Sequence, residues 1–147
     1  MNLSKFLNIS LKSDELIELF EQYEVDVIYS YDRLYEGMED KYYGSIEELG
    51  LQFSFDEHQV LKTIFIYASG NKEFRTANLS ELEIIPFEHK VSIISYAEVN
   101  GIEYSDGEAS FLGESRVWVK LAHNDFSSHY EFQDGVLGLV TLQAKNA

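Results

Sequence analysis

The feature that most constrains the fold is a strand-turn-strand pattern that occurs twice in the chain. Residues 53–68 (FSFDEHQVLKTIFIYA) match residues 130–144 (YEFQDGVLGLVTLQA), with one additional residue in the turn of the first copy. Each copy begins with two aromatic residues separated by one position, restarts with Val-Leu after the turn and ends in alanine. Internal similarity of this kind indicates one supersecondary unit used twice. We therefore expect two related β-hairpins.

A helix is predicted ahead of each hairpin. Ser13 is a candidate N-cap for the first helix, in which Leu16, Leu19, Phe20 and Tyr23 form one apolar stripe. The second helix is predicted to begin near Phe87, in a segment whose β-branched residues also suit a strand. Residues 105–113 are acidic and are predicted to form a loop. The sequence thus predicts an α+β fold in a single domain, residues 1–147. It contains two tandem helix-plus-antiparallel-hairpin units, at about residues 13–68 and 87–144.

The charge balance narrows the class of partner. The net charge is −15, from 26 acidic and 11 basic residues, and residues 14–57 hold fourteen acids against Arg33 and Lys41. Such a field repels nucleic acid and anionic membranes and steers basic partners inward. Acidity also serves solubility, so it does not identify a partner by itself. The chain lacks cysteine, a long apolar run and a signal-peptide pattern, which predicts a cytoplasmic protein.

The motifs of common catalytic sites are missing from the sequence. The four histidines, His58, His89, His123 and His129, are not spaced as metal ligands. No phosphate-binding glycine loop or nucleophile elbow is present. We therefore predict no catalytic residue, no metal and no cofactor. Adjacent carboxylates leave a hydrolase open as an alternative, although 26 acids produce such pairs by chance.

Tyrosines and acids alternate in one part of the chain. Six of the ten tyrosines lie between residues 23 and 43, among acidic residues. Tyrosine provides rigid contact area at protein interfaces, and acids complement a basic partner, although the same tyrosines also suit ordinary strands. A second acidic stretch, residues 98–114, contains no base. The predicted partner-binding residues come from both stretches: Tyr31, Asp32, Tyr35, Glu36, Glu39, Asp40, Tyr42, Glu103, Asp106 and Glu108.

Parts of the chain resemble a known family. Residues 43–55 (YGSIEELGLQFSF) and 61–67 (LKTIFIY) resemble a segment of small bacterial immunity proteins. These are antidotes encoded beside polymorphic toxins of contact-dependent inhibition and bacteriocin systems. Residues 118–121, 129–132 and 139–142 are similar to the second half of that pattern. The duplicated helix and hairpin are also similar to the tandem repeats of β-lactamase inhibitor protein.

The resemblance implies a non-enzymatic inhibitor that binds a cognate toxin domain and blocks its active site or substrate groove. A cytoplasmic immunity protein implies a cytoplasm-acting toxin, and a nuclease with a basic groove fits a strongly acidic inhibitor. The expected partner is therefore a basic toxin domain, with no nucleic acid and no membrane bound directly. A small-ligand or peptide-binding regulatory module is the alternative, and it would require an apolar pocket.

Overall fold

The computed structural model describes residues 1–30 and 40–146. Each of two α-helices is followed by four strands. The first set is α1 (Asp14–Gln22), β1 (Val27–Ser30), β2 (Lys41–Ile46), β3 (Leu51–Phe55) and β4 (Leu61–Tyr67). The second set is α2 (Lys90–Val99), β5 (Glu103–Phe111), β6 (Glu114–Ala122), β7 (Phe126–Gln133) and β8 (Val136–Ala144). Short 3-10 helices lie at Leu3–Phe6 and Glu47–Leu49.

The strands of the described chain form one antiparallel sheet in the order β1-β2-β3-β4-β8-β7-β6-β5. The two predicted hairpins are confirmed as β3–β4 and β7–β8, and they lie side by side at the centre of the sheet. The pairing of β4 with β8 joins them, with Ile64 opposite Leu142 and Ile66 opposite Val140. The outermost strands, β1 and β5, are the two edges of the sheet.

The predicted α+β fold of two tandem helix-plus-hairpin units is wrong. The described chain is mostly one continuous eight-stranded sheet, and its α-helices have only nine and ten residues. The hairpin patterns are local, whereas the β4–β8 pairing joins distant segments and leaves no local signal. Of residues 105–113, predicted to be a loop, residues 105–111 form most of β5 and residues 112–113 form a turn. An edge strand is paired with a neighbour on one side only and often carries charged side chains. The acidic composition of β5 therefore resembles that of a loop.

Helix α1 covers the first half of the sheet. Its buried side chains are Leu16, Leu19 and Phe20, as the predicted apolar stripe requires. The Phe20 ring meets Phe53 edge-on, with centroids 5.3 Å apart. Strand β2 carries Gly44 beneath this ring, where a Cβ atom would lie only 2.9 Å from Phe20 Cε2. The missing side chain lets the helix approach the sheet closely.

Helix α2 covers the second half of the same sheet face. Its buried side chains are Ile93 and Ala97, and Phe87, three residues before the helix, packs edge-on against Tyr130 of β7 with centroids 5.4 Å apart. The face covered by both helices, which carries Phe53 and Tyr130, is called the helix face below. The opposite face is called the open face. No described helix is long and apolar enough to cross a membrane.

Candidate protein-binding surface

Half of the predicted partner-binding residues, namely Tyr31, Asp32, Tyr35, Glu36 and Glu39, lie outside the described residues. Asp40 immediately precedes β2 and is half-buried. Tyr42 lies in β2 opposite Tyr29 of β1, and the two rings are 5.0 Å apart. The Tyr42 side chain also packs against the core on the helix face, so much of its surface is already occupied.

The acidic residues of β5 divide between the two faces of the sheet. Asp106 and Glu108 lie on the helix face, where Lys90 Nζ is 2.6 Å from an Asp106 carboxylate oxygen and 3.2 Å from one of Glu108. The hydrogen bond with Asp106, reinforced by Glu108, raises the pKa of Lys90 against the smaller opposing effect of burial. Glu103 is exposed and belongs to the open face. Asp106 and Glu108 therefore attach α2 to the edge strand.

The described members of the predicted site lie near opposite edges of the sheet. Tyr42 belongs to β2, and five strands separate β2 from β5. At about 4.8 Å per strand, this separation is about 29 Å. A partner would have to span that distance to touch both groups, which is possible only for a macromolecule.

Sequence reasoning missed an aromatic row on the open face. The row crosses four adjacent strands and consists of Trp118 in β6, His129 in β7 and Phe65 in β4, with Thr141 of β8 between His129 and Phe65. The rings of Trp118 and His129 stack 5.5 Å apart at 25°, and His129, Thr141 and Phe65 are register neighbours. All four side chains are half-buried. The signal was present, because these residues alternate with the core residues of each strand.

A glycine on the edge strand makes room for the tryptophan in this row. Gly107 pairs with Trp118 across β5 and β6. A Cβ atom at position 107 would lie 2.6 Å from the indole ring, closer than packed atoms allow. The absence of a side chain therefore lets Trp118 rest against the backbone of β5. His129 contacts the same ring, so the indole orientation is determined by its two neighbours.

Charges on the described part of the open face are nearly balanced, unlike those of the whole chain. Arg116 Nη1 lies 3.5 Å from a carboxylate oxygen of Glu131, and Lys120 is the register neighbour of His129. Burial lowers the pKa of His129. The nearby Glu131 carboxylate raises this pKa and the Lys120 ammonium group lowers it, each by less than burial does. The ring is thus neutral at pH 7, which keeps the centre of the aromatic row uncharged.

Recesses adjoin both faces of the sheet, and one of about 610 Å³ includes Lys120, Ser127 and Gln143 in its lining. A groove of about 480 Å³ lies at one end of the open face, and its lining includes Arg116, Glu131 and Leu139. On the helix face, a cavity of about 150 Å³ is lined by Phe87 and Tyr130 among others. Sites for small organic ligands usually measure about 300–1,000 Å³, so the helix-face cavity is small for such a ligand. The described residues contain no cluster of three metal-ligating side chains.

Comparisons with known proteins were made for the whole chain. No protein family, curated protein or solved structure matches it.

Proposed function

We propose that this protein is an inhibitor that binds a second protein across its sheet, as an immunity protein binds a toxin. The observation that carries the proposal is the aromatic row on the open face, centred on Trp118 and His129. Tryptophan and other aromatic residues dominate the binding energy of protein interfaces. A row across four adjacent strands spans about 14 Å.

The charge of the chain indicates which partner would be attracted. A net charge of −15 accelerates encounter with a basic protein and repels acidic ones. The open face itself is nearly neutral, so the long-range field would bring the partner in and the aromatic row would hold it. A cytoplasm-acting toxin with a basic substrate groove, such as a nuclease, has the required charge. The protein would act by occlusion, without catalysis, in the cytoplasm where that toxin acts.

The experiment is a pull-down from the native bacterium with the full chain as bait, at low and at high salt. We expect recovery of the C-terminal domain of a large secreted protein encoded beside this chain, with recovery decreasing as salt rises. Purified toxin domain should then lose its activity on addition of one equivalent of the bait. An affinity unchanged up to about 0.5 M salt would contradict the electrostatic part of the proposal.

The aromatic row is tested by substitution of its largest residue. Trp118→Ala should weaken binding of the recovered toxin domain by at least about 30-fold, because the indole is the largest side chain of the row. Val91→Ala is the matched control, since Val91 is an exposed apolar residue of α2 on the helix face. Equal binding by both variants would place the interface elsewhere. Recovery of no protein partner would overturn the proposed function.

A further inference from the structure

The β5–β6 hairpin ends in an exposed apolar tip. Phe111 is 76% exposed and Leu112 is 87% exposed. Because Phe111 pairs with Glu114, the turn itself consists only of Leu112 and Gly113. Burial of a large apolar side chain is favourable, so the free protein gains nothing from placing two of them in water.

The backbone conformation of this turn makes leucine an unusual residue at position 112. Leu112 has φ 50° and Gly113 has φ 81°, the left-handed values that a tight hairpin turn requires. Among the non-glycine residues of positive φ in the described chain, Leu112 is the only apolar one; the others are Asn8, Glu24, Gln59, Glu83 and Asp134. Aliphatic side chains disfavour this conformation, and residues held in it concentrate at functional sites.

The neighbouring hairpin provides an internal comparison. The β7–β8 turn has the same two-residue length, with Asp134 at φ 50° and Gly135 at φ 82°. Asp-Gly is a common pair for this geometry, whereas Leu-Gly is not. The fold therefore accommodates the usual residue at one turn and carries leucine at the equivalent position of the other.

The tip extends beyond the neighbouring β7–β8 turn, and hydrogen bonds fix the strands at its base. Asp134 N–H donates to the Ser115 carbonyl at 2.9 Å, and Ser115 N–H donates to the Asp134 carboxylate at 3.0 Å. The β7–β8 turn thus ends level with Ser115, and residues 111–114 extend past it. The two hydrogen bonds between Asp134 and Ser115 hold the tip in one orientation before binding, which lowers the entropy lost when a partner binds.

The surroundings of the tip are acidic. Residues 103–115 contain Glu103, Asp106, Glu108 and Glu114 and no lysine or arginine; Lys90 pairs with Asp106 and Glu108, and Glu114 is the acid that adjoins the tip. Glu114 stands directly opposite Phe111, and the nearest cation along the strand, Arg116, is paired with Glu131. An apolar anchor beside the Glu114 carboxylate, which accepts a 3.4 Å hydrogen bond from the neutral Gln133 amide and keeps its charge, fits an apolar pocket with a basic rim. A second copy of this chain, with its net charge of −15, is a poor match.

We propose that Phe111 and Leu112 form an anchor that inserts into an apolar, basic-rimmed pocket of the protein partner. This inference rests on the proposed function, because the pocket belongs to the toxin domain. The anchor would project into the active-site or substrate groove while the open face covers the surface beside it. The left-handed leucine would then be retained for binding at the expense of stability.

The test compares Leu112→Asn with wild type, using the toxin domain recovered in the pull-down as the probe. Asparagine suits the left-handed turn, so the melting temperature should rise by about 2–4 °C while binding weakens by at least about 30-fold. Glu114→Lys should also weaken binding at low salt and lose this effect at high salt. Val99→Asn is the control, because Val99 is 85% exposed at the end of α2 and should leave binding unchanged.

The outcomes separate the two proposals. Binding of Leu112→Asn within about threefold of wild type would overturn the anchor and leave the inhibitor function intact. An unchanged or lower melting temperature would overturn the claim that leucine is retained at a cost to stability. Recovery of no partner would overturn both proposals. A concentration-dependent dimer in sedimentation, lost in Leu112→Asn, would show that the tip binds a second copy and would also overturn the anchor.

Discussion

Lys90 of α2 and Asp106 of β5 form an ion pair of 2.6 Å that joins the helix to the edge strand. Asp106 therefore has a structural role, although the sequence predicted that it binds a partner. An edge strand has a neighbour on one side only, so its attachment to a helix matters for its position. Tyr104, on the same strand, adds a second contact through its hydroxyl group, which lies 3.2 Å from Glu98 of α2.

Asp106→Asn should weaken this attachment without altering partner binding. We expect the melting temperature to fall by no more than about 3 °C, because ion pairs close to solvent contribute little to stability. Thermal unfolding followed by circular dichroism measures this change. Glu103→Gln on the same strand is the control and should leave the melting temperature unchanged. Loss of partner binding in Asp106→Asn, with no change in melting temperature, would show that Asp106 contacts the partner, as the sequence predicts.

Gly107→Ala should displace Trp118. A Cβ atom at this position would lie 2.6 Å from the indole, and such overpacking costs about 1–3 kcal/mol of unfolding free energy. Trp118 is the only tryptophan of the chain, so its fluorescence spectrum reports the displacement directly. Gly138→Ala is the matched control, because the nearest atom there is 3.9 Å away. An unchanged spectrum and stability in Gly107→Ala would show that the indole is not held by this contact.

Tyr130 should make the protein sensitive to alkali. Burial raises the pKa of Tyr130 to about 12 from its ordinary value of 10.0. The folded state therefore keeps the phenolic proton between these two values while the unfolded state releases it, so stability decreases as pH rises from about 10 to 12. The full loss is about 3 kcal/mol. Urea unfolding of wild type and Tyr130→Phe across this range should show a smaller loss in the variant, and parallel curves would contradict the assignment.

Ser13→Ala should be tolerated, although serine at a helix N-cap normally contributes about 0.5–2 kcal/mol. Ser13 occupies the N-cap of α1 as predicted, but its side chain makes no capping hydrogen bond and its buried hydroxyl has no partner. Removal of an unsatisfied buried hydroxyl relieves its desolvation cost. We expect an unfolding free energy equal to or slightly above that of wild type.

Asn71→Ala is the positive control for the unfolding free energy measured in Ser13→Ala. Asn71→Ala should cost about 1–3 kcal/mol, because the Asn71 side-chain oxygen accepts hydrogen bonds of 2.8 Å from the backbone of Glu73 and Phe74. A loss of more than about 1 kcal/mol in Ser13→Ala would show that the hydroxyl caps the helix in solution.

Local patterns in the sequence determined the two central hairpins and the position of α1. Alternation of apolar and polar residues specifies a strand, and the Asp134-Gly135 pair specifies a tight turn, because both depend on residues close together in the chain. The stripe of Leu16, Leu19 and Phe20 likewise predicted which face of α1 is buried.

Tertiary structure alone decided which segments pair and which surfaces remain. The β4–β8 register merged the hairpins into one sheet, and β5 became an edge strand held by Lys90 rather than an acidic loop. Phe65 is distant in sequence from Trp118 and His129 and lies in line with them only because β4 pairs with β8. The physical reason is that pairing between distant strands depends on burial of one common face, and no single segment of sequence encodes that face.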